Sequence, residues 1–403
     1  MGHTDETATL ACWLDVDLDA VAANVRALQR WVGPGTQLAA VLKAEAYGTG
    51  ARELARTVLG AGAQWLAVAR VHEGVELREA GATAPILIMN RTEPDEAEIA
   101  VRHDLTVTVD TPELAQALAS AAIGHRTRAT VHLKVDTGLH RFGVAPDRAL
   151  PLARAMADLD GLDVQGLYTH FANADEVDRS YTLEQLALFE RVTAELADAG
   201  YRFSMRHAAN SAATLAFREA HFDLVRVGLT LYGVSPSGYL PEGLVLQPSV
   251  SFKARIARIT DLAPGEGVGY GQIWHAERPT RVALVTAGYA DGVRRSMSTR
   301  GGALVRGERA PIIGRVSMDQ TTLDITDVLG VAVGDVATFF GRDGAGALGL
   351  AEFAAASDTI PHEALTSIGG RVARVYRRDG QGDRVVRLTG AREIPAYAPA
   401  ALH

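Results

Sequence analysis

The sequence predicts a (β/α)₈ barrel over residues 13–245, a mainly β domain over residues 246–390 and a tail at 391–403. Three observations carry this. Eight short apolar runs alternate with helical segments between residues 38 and 227. After Pro248 the pattern changes to short alternating runs separated by Gly, Asp and Pro. The stretch between Pro236 and Pro248 has the Pro, Gly and Ser content of a domain boundary. With 403 residues, 47% of them hydrophobic, the chain is long enough to bury two cores.

In chain order, residues 11–16 read as a strand and 18–31 as a helix, with Leu18, Val21, Val25, Leu28 and Trp31 at helical spacing. Residues 1–16 have a second option, pairing with the later β domain. The barrel runs follow at 38–42, 65–69, 85–89, 105–109, 130–135, 164–169, 203–207 and 222–227. Helical segments at 51–59, 71–80, 112–122, 148–159 and 182–199 lie between them, several closing at a glycine such as Gly60, Gly81 or Gly200. Near-continuous apolar strands of this kind suit a parallel sheet buried on both faces, and an open doubly wound sheet is the alternative. Beyond Pro248, strands are expected at 250–260, 281–287, 303–305, 312–316, 321–325 and 335–340, with a helix near 350–356.

A net charge of −8 and the absence of basic runs argue against a nucleic-acid partner. A single cysteine, Cys12, allows no internal disulfide framework and no thiolate metal cluster, so no metal is expected. The N-terminus lacks a basic start with a long apolar core, and no run of about 18 apolar residues occurs. The expectation is a cytoplasmic protein without a membrane partner.

A barrel of this class builds its active site where the strands end. Strand one ends at Lys43 in AVLKAEAYGTG, residues 40–50. Strand three ends at Asn90. Strand five delivers Lys134 and Asp136, with Arg141 behind them, and strand six ends at His170. Strand seven gives His207, Asn210 and Ser211, and strand eight gives Arg226 and Gly228. Lys43 has three readings: a solvated charge, an anion contact or a nucleophilic amine. Ser211 opens a helix, where it is either an ordinary N-cap or part of a phosphate site, and Gly228 lets backbone amides approach such a phosphate. A phosphate at strands seven and eight with a lysine at strand one points to pyridoxal phosphate held as a Schiff base. Arg226 against the pyridine nitrogen would leave that nitrogen unprotonated, which suits the quick removal and return of one proton.

AVLKAEAYGTG resembles the lysine motif of the alanine racemase family. VDTGLHRFGV, YTHFANADE, HAANSAAT, DLVRVGLTLYG, GVGYGQ, GYADG, GRVSMDQ and GRVARVY resemble that family's further motifs in the same order, over residues 13–380. The resemblance implies a homodimeric racemase using pyridoxal 5'-phosphate on a small amino acid, alanine first. It implies that Lys43 binds the cofactor and is the base for the D enantiomer. Tyr270, supplied by the other subunit, is then the base for the L enantiomer. By the same resemblance His170 bonds to Tyr270 and Arg226, and Tyr47, Ser211, Gly228, Leu229 and Tyr376 hold the phosphate. Arg141 meets the substrate carboxylate and is positioned by Lys134, which can be carbamylated in the family; a salt bridge to a carboxylate is the alternative for Lys134. Met318 offers its backbone amide to that carboxylate, Tyr289 and Arg295 line the entrance, and Asp319 supports them.

Four positions depart from the family pattern: Glu45 for asparagine, Thr49 for histidine, Ser317 for cysteine and Ala373 for proline. Glu45 puts a carboxylate two residues from Lys43, where it either tunes the lysine, meets a polar substrate or points away. Two alternative functions therefore stand beside alanine racemisation. One is an enzyme of the same fold acting on serine or an α-substituted amino acid, by racemisation or by hydroxymethyl or aldol chemistry. The other is a non-catalytic cofactor-binding protein.

Overall fold

The computed structural model describes Thr7 and residues 9–388. The expected tail at 391–403 lies outside the described residues, as do residues 1–6. The chain divides into two compact units. One comprises Val21–Ala46 and Ala51–Gln247; the other takes the described residues up to Ala20, the short segment Tyr47–Gly50 and the chain from Pro248 onward. The first strand, β1 (Cys12–Asp17), falls in the second of these, so of the two options for residues 1–16 the chain takes pairing with the β domain over membership of a barrel from residue 13. Its inner residues are buried, and both of its edges are paired, antiparallel on one side and parallel on the other.

The first unit is a ring of eight parallel strands: β2 (Gln37–Val41), β3 (Trp65–Val68), β4 (Ile86–Ile88), β5 (Thr106–Val109), β6 (Ala129–Lys134), β7 (Leu162–Tyr168), β8 (Met205–His207) and β9 (Leu224–Val227). They neighbour one another in the order β8-β7-β6-β5-β4-β3-β2-β9, so the sequence's eight runs and their parallel pairing are the barrel. β3, β4 and β5 are buried at every residue, which is why they read as unbroken apolar or β-branched runs rather than alternating ones. Only β8 and β9 lack a ladder between them. That opening is bridged by two backbone bonds, Asp223 N to Arg206 O and Arg226 N to Ala209 O, both 3.0 Å. Gly81 and Gly200, expected to close helices, have φ of 90° and 94°, the left-handed conformation of a helix C-terminus.

The second unit is one ten-stranded sheet. β1 pairs antiparallel with β10 (Val250–Leu262) and parallel with β17 (Ala373–Arg378), which continues to β18 (Gln381–Arg387). The remaining strands are β11 (Thr280–Val285), β12 (Gly302–Val305), β13 (Glu308–Ile313), β14 (Thr321–Asp324), β15 (Val336–Asp343) and β16 (Gly346–Leu348). The order β15-β12-β13-β14-β11-β10 closes on itself because β10 also pairs with β15. The 13-residue β10 serves three partners through a register shift between Ile256 and Arg258. Such a bulge turns a long strand from one neighbour to the next. Ala373 opens β17, paired with Trp13 on one side and Arg387 on the other. Among the described residues, no helix is long and apolar enough to cross a membrane.

Candidate active site

The loop after β2 departs most from expectation. Strand one was expected to end at Lys43, and it gives way there to a turn in which Ala44, Glu45, Ala46 and Tyr47 all have φ between 52° and 60°, so Lys43–Gly48 is a left-handed helical turn. Such a conformation costs on the order of 1–2 kcal/mol per non-glycine residue. Side chains hold it. In the barrel unit, Glu73 Oε1 accepts from Ala44 N at 2.6 Å, and the Tyr232 hydroxyl donates to Ala46 O at 2.5 Å. Glu45 Oε2 accepts from Ala51 N at 3.0 Å, at the start of helix Ala51–Gly60. In the β unit, Arg374 Nε donates to Gly48 O and the Tyr376 hydroxyl to Thr49 O, both at 2.8 Å. Gly50 admits no side chain there, since a Cβ would lie 1.9 Å from the Tyr376 hydroxyl.

Glu45, the departure nearest the lysine, is exposed and engaged with that helix start. The carboxylate that acts on Lys43 is Glu73. Burial lowers the Lys43 pKa from its usual value, Arg141 lowers it further, and Glu73 opposes both. The left-handed turn sends residue 45 toward the following helix, as in the last of its three readings. Glu73 lies 30 positions from Lys43 and reaches it only through the packing of the β3 loop on the β2 loop.

Arg226, on β9, is 2% exposed, and both its terminal nitrogens are bonded. Its Nη1 donates to His207 Nδ1 at 2.6 Å. Its Nη2 faces Thr169 O, Ala208 O and His170 Nδ1 at 2.9, 3.0 and 3.1 Å. A guanidinium has no acceptor, so both histidine Nδ1 atoms accept, and each ring carries its proton on Nε2. His207 Nε2 then donates to His132 Nδ1 at 2.9 Å, and His132 Nε2 to Gln165 Oε1 at 3.2 Å. Burial, with Arg226 adding to it, holds His170 and His207 well below the usual imidazole range and lowers His132 to about 4. All three are neutral at physiological pH. Burial also brings Arg226 down to about 10, which still leaves it a cation. The Tyr168 ring stacks on His207 at 4.5 Å. His132 and Gln165 are a chain that no local spacing announces, since it is assembled across β6, β7 and β8.

Lys134 is buried at the end of β6 with its amine on the Phe142 carbonyl and over the Phe142 ring. Burial pushes it down to about 8; Arg141 and Arg226 act the same way, while Asp136 and Asp110 oppose them. Its hydrogen bond goes to a backbone carbonyl, with Asp136 and Asp110 acting on the amine only through their charge. His170 senses Arg226, Arg141, Lys134 and Lys43 together, so these four cationic side chains face one mouth. The Ser211 hydroxyl accepts from Gly228 N at 2.9 Å and from Thr230 Oγ1 at 3.3 Å, beside the opening between β8 and β9. Asn210, not Ser211, caps helix Ser211–Ala216, through Ala213 N at 3.0 Å. Ser211 is thereby freed from the capping role. Leu229 opens the 3-10 turn that follows Gly228.

In the β unit, Tyr270 is 74% exposed on a turn between Gly269 and Gly271, both at positive φ. A Cβ on Gly314 would lie 2.7 Å from Val268 O, so the GVGYGQ and GRVSMDQ segments pack closely. Tyr289 N and Ala290 N donate to Ser317 O and Met318 O, both at 3.0 Å, setting Tyr289 beside Met318. Both side chains are exposed. The Ser317 hydroxyl closes its own turn with Gln320, an ordinary local role. Arg371 bridges the Asp291 carboxylate and Asp319 Oδ1, the latter at 2.6 Å, which fixes Asp319 next to Met318. Arg295 begins a 3-10 turn, Arg295–Met297, and is exposed. Tyr47 is buried, with His362 against its ring at 5.9 Å.

Two family models match, described as the N-terminal domain of alanine racemase over residues 16–236 and the C-terminal domain of alanine racemase over residues 249–376. An alanine racemase from Desulforamulus reducens is 43% identical over 366 residues, covering 90% of this chain and 98% of that protein. The solved alanine racemase of Clostridium difficile 630 superposes with a TM-score of 0.90 at 32% identity, over 94% of this chain and 99% of its own. The alanine racemase of Bacillus anthracis with bound L-Ala-P superposes with a TM-score of 0.87 at 34% identity, over 94% and 98%.

Proposed function

The chain belongs to the alanine racemase family, and we propose that it interconverts L- and D-alanine by moving one proton between Lys43 and Tyr270, with pyridoxal 5'-phosphate as cofactor. The observation that carries this is the geometry at the strand ends of the barrel, where Lys43 follows β2, Lys134 ends β6 and Arg226 on β9 lies 3.1 Å from His170 Nδ1.

The residues present fit the cofactor. The Ser211 hydroxyl and the Gly228 amide meet beside the one opening in the barrel, where a helix starts and backbone amides suit a phosphate. Leu229, Tyr47 and Tyr376 are assigned to the same phosphate on the family pattern. Lys43 has a lowered proton affinity, as an amine that binds an aldehyde needs. When bound, the cofactor supplies an electron-withdrawing ring that makes the α-hydrogen of alanine acidic.

Lys43 takes or returns the α-proton of the D enantiomer. Tyr270 of a second copy does so for the L enantiomer from the opposite face. Arg226 is assigned to the ring nitrogen: its acceptors are neutral histidines and carbonyls, so it stays a cation and no carboxylate is there to favour a proton on that nitrogen. His170 accepts from Arg226 on Nδ1 and so has an Nε2 proton to offer the Tyr270 oxygen, easing its loss of a proton. Arg141 and the Met318 amide are assigned to the substrate carboxylate, with Asp319 supporting Met318 and with Tyr289 and Arg295 at the entrance. Lys134, with an amine near 8, has a neutral fraction able to take up carbon dioxide and then position Arg141. The exposure of Tyr270, Ile273, Tyr289 and Met318 supports a homodimer in which that surface is covered.

Exchange of the α-hydrogen with deuterated water, followed across a panel of amino acids, tests the proposal. Both alanine enantiomers are expected to exchange fastest; faster exchange of serine or of an α-substituted amino acid would overturn the assignment of substrate.

A further inference from the structure

We propose that Glu73 is the positioning residue of Lys43, holding the left-handed turn that aims the lysine and setting the charge it faces. The inference rests on the reading of Lys43 as the cofactor lysine.

Glu73 stands in the first turn of helix Val71–Glu79, directly after β3. An acidic side chain there is ordinarily a helix cap, and one oxygen behaves so: Oε2 accepts from Ala69 N at 2.7 Å and Arg70 N at 2.9 Å. The other oxygen leaves the helix. Oε1 accepts from Ala44 N at 2.6 Å, the first amide after Lys43, at a residue with φ of 52°. One carboxylate thus ties the end of β3 to the strained turn that follows β2.

Two consequences follow from this geometry. The first is mechanical. The turn must be held against the right-handed alternative, and a charge-assisted bond to its first amide acts where the chain leaves the lysine. The second is electrostatic. Lys43 faces the Arg141 cation, and the His170 ring near it is neutral. Glu73 is the carboxylate that offsets Arg141 there.

The test uses the full chain, freed of cofactor, with the rate of acetylation of Lys43 followed by peptide mass spectrometry as a function of pH. Glu73→Gln keeps the shape and an acceptor oxygen but removes the charge. The labelling midpoint of Lys43 is expected to fall by about one pH unit in that variant, with a melting temperature close to the parent's. Glu73→Ala is expected to show the same fall together with a lower melting temperature. A loss of thermal stability in either variant with the Lys43 midpoint unmoved would make Glu73 a helix cap only and overturn the proposal. Borohydride trapping of pyridoxal phosphate on the parent chain judges the cofactor reading separately: failure to trap on Lys43 sinks that reading, while the labelling midpoints still decide the role of Glu73.

Discussion

Lys43 owes its chemistry to groups that lie far from it in sequence. Its proton affinity is lowered by burial and by Arg141, and offset by Glu73. Lys43→Ala should abolish the visible absorbance band of the bound cofactor along with activity; persistence of that band would mean another lysine carries it. Tyr270→Phe should slow racemisation by about 10²–10⁴-fold. The loss should be sharpest when L-alanine is the substrate, in rates measured separately from each enantiomer, and near-parent rates in both directions would refute two bases. Lys134 makes a prediction about stability. Its folded value near 8 lies below the ordinary 10.5, so the unfolded chain binds its proton more tightly, and the folded state is penalised at every pH below 8. That penalty is relieved as pH rises from 8 toward 10.5. In carbon-dioxide-free buffer, the unfolding free energy of the parent relative to Lys134→Met should therefore rise over this window, by on the order of 2–3 kcal/mol. A flat difference in denaturant titrations would show the amine to be unperturbed.

The left-handed turn at Lys43–Gly48 is the element on which most depends. Alanine at 44 and 46 and glutamate at 45 are good formers of a right-handed helix, so local propensity gives no hint of the observed conformation. Side chains from outside the turn hold it: Glu73 and Tyr232 in the barrel unit, Arg374 and Tyr376 in the β unit. Gly50 shows how little room remains, because its φ is 102° and a Cβ would meet the Tyr376 hydroxyl. Gly50→Ala should therefore destabilise the protein by about 1–3 kcal/mol and weaken cofactor retention, measured by denaturant unfolding and by dialysis. Unchanged stability would mean that Tyr376 swings aside freely. The polar chain from Arg226 through His207 and His132 to Gln165 is a second element of this kind, in which each tautomer is dictated by the arginine at one end.

At the level of the whole molecule, the two proposed bases, Lys43 and Tyr270, belong to different compact units of the chain, and Tyr270 is exposed on its own. If the partner copy supplies it, subunits carrying Lys43→Ala and subunits carrying Tyr270→Phe should complement each other. Random pairing makes half the dimers mixed, each with one intact site of two, so mixing the inactive proteins should restore about a quarter of parental activity. No recovery after verified subunit exchange would mean that each chain serves itself.

The sequence alone determined the eight-strand barrel and the β region, because burial on both faces of a parallel sheet writes continuous apolar runs that need no knowledge of partners. It also determined Lys43, Arg226, Ser211 and Gly228 as strand-end residues, since the barrel fixes which end of each strand carries chemistry. Tyr270, Met318 and Tyr376 came only through the family motifs, as an exposed tyrosine between glycines has no physical signature of its own. Tertiary structure decided the rest. It turned residue 45 away from Lys43 and brought Glu73 to it, gave the cap of helix Ser211–Ala216 to Asn210, and drew β1 out of the barrel region to sit between β10 and β17. The Glu73 and β1 contacts join segments distant in sequence, and local patterning carries no record of which distant groups will meet; the Glu45 and Asn210 contacts are local but follow backbone turns that propensity does not dictate.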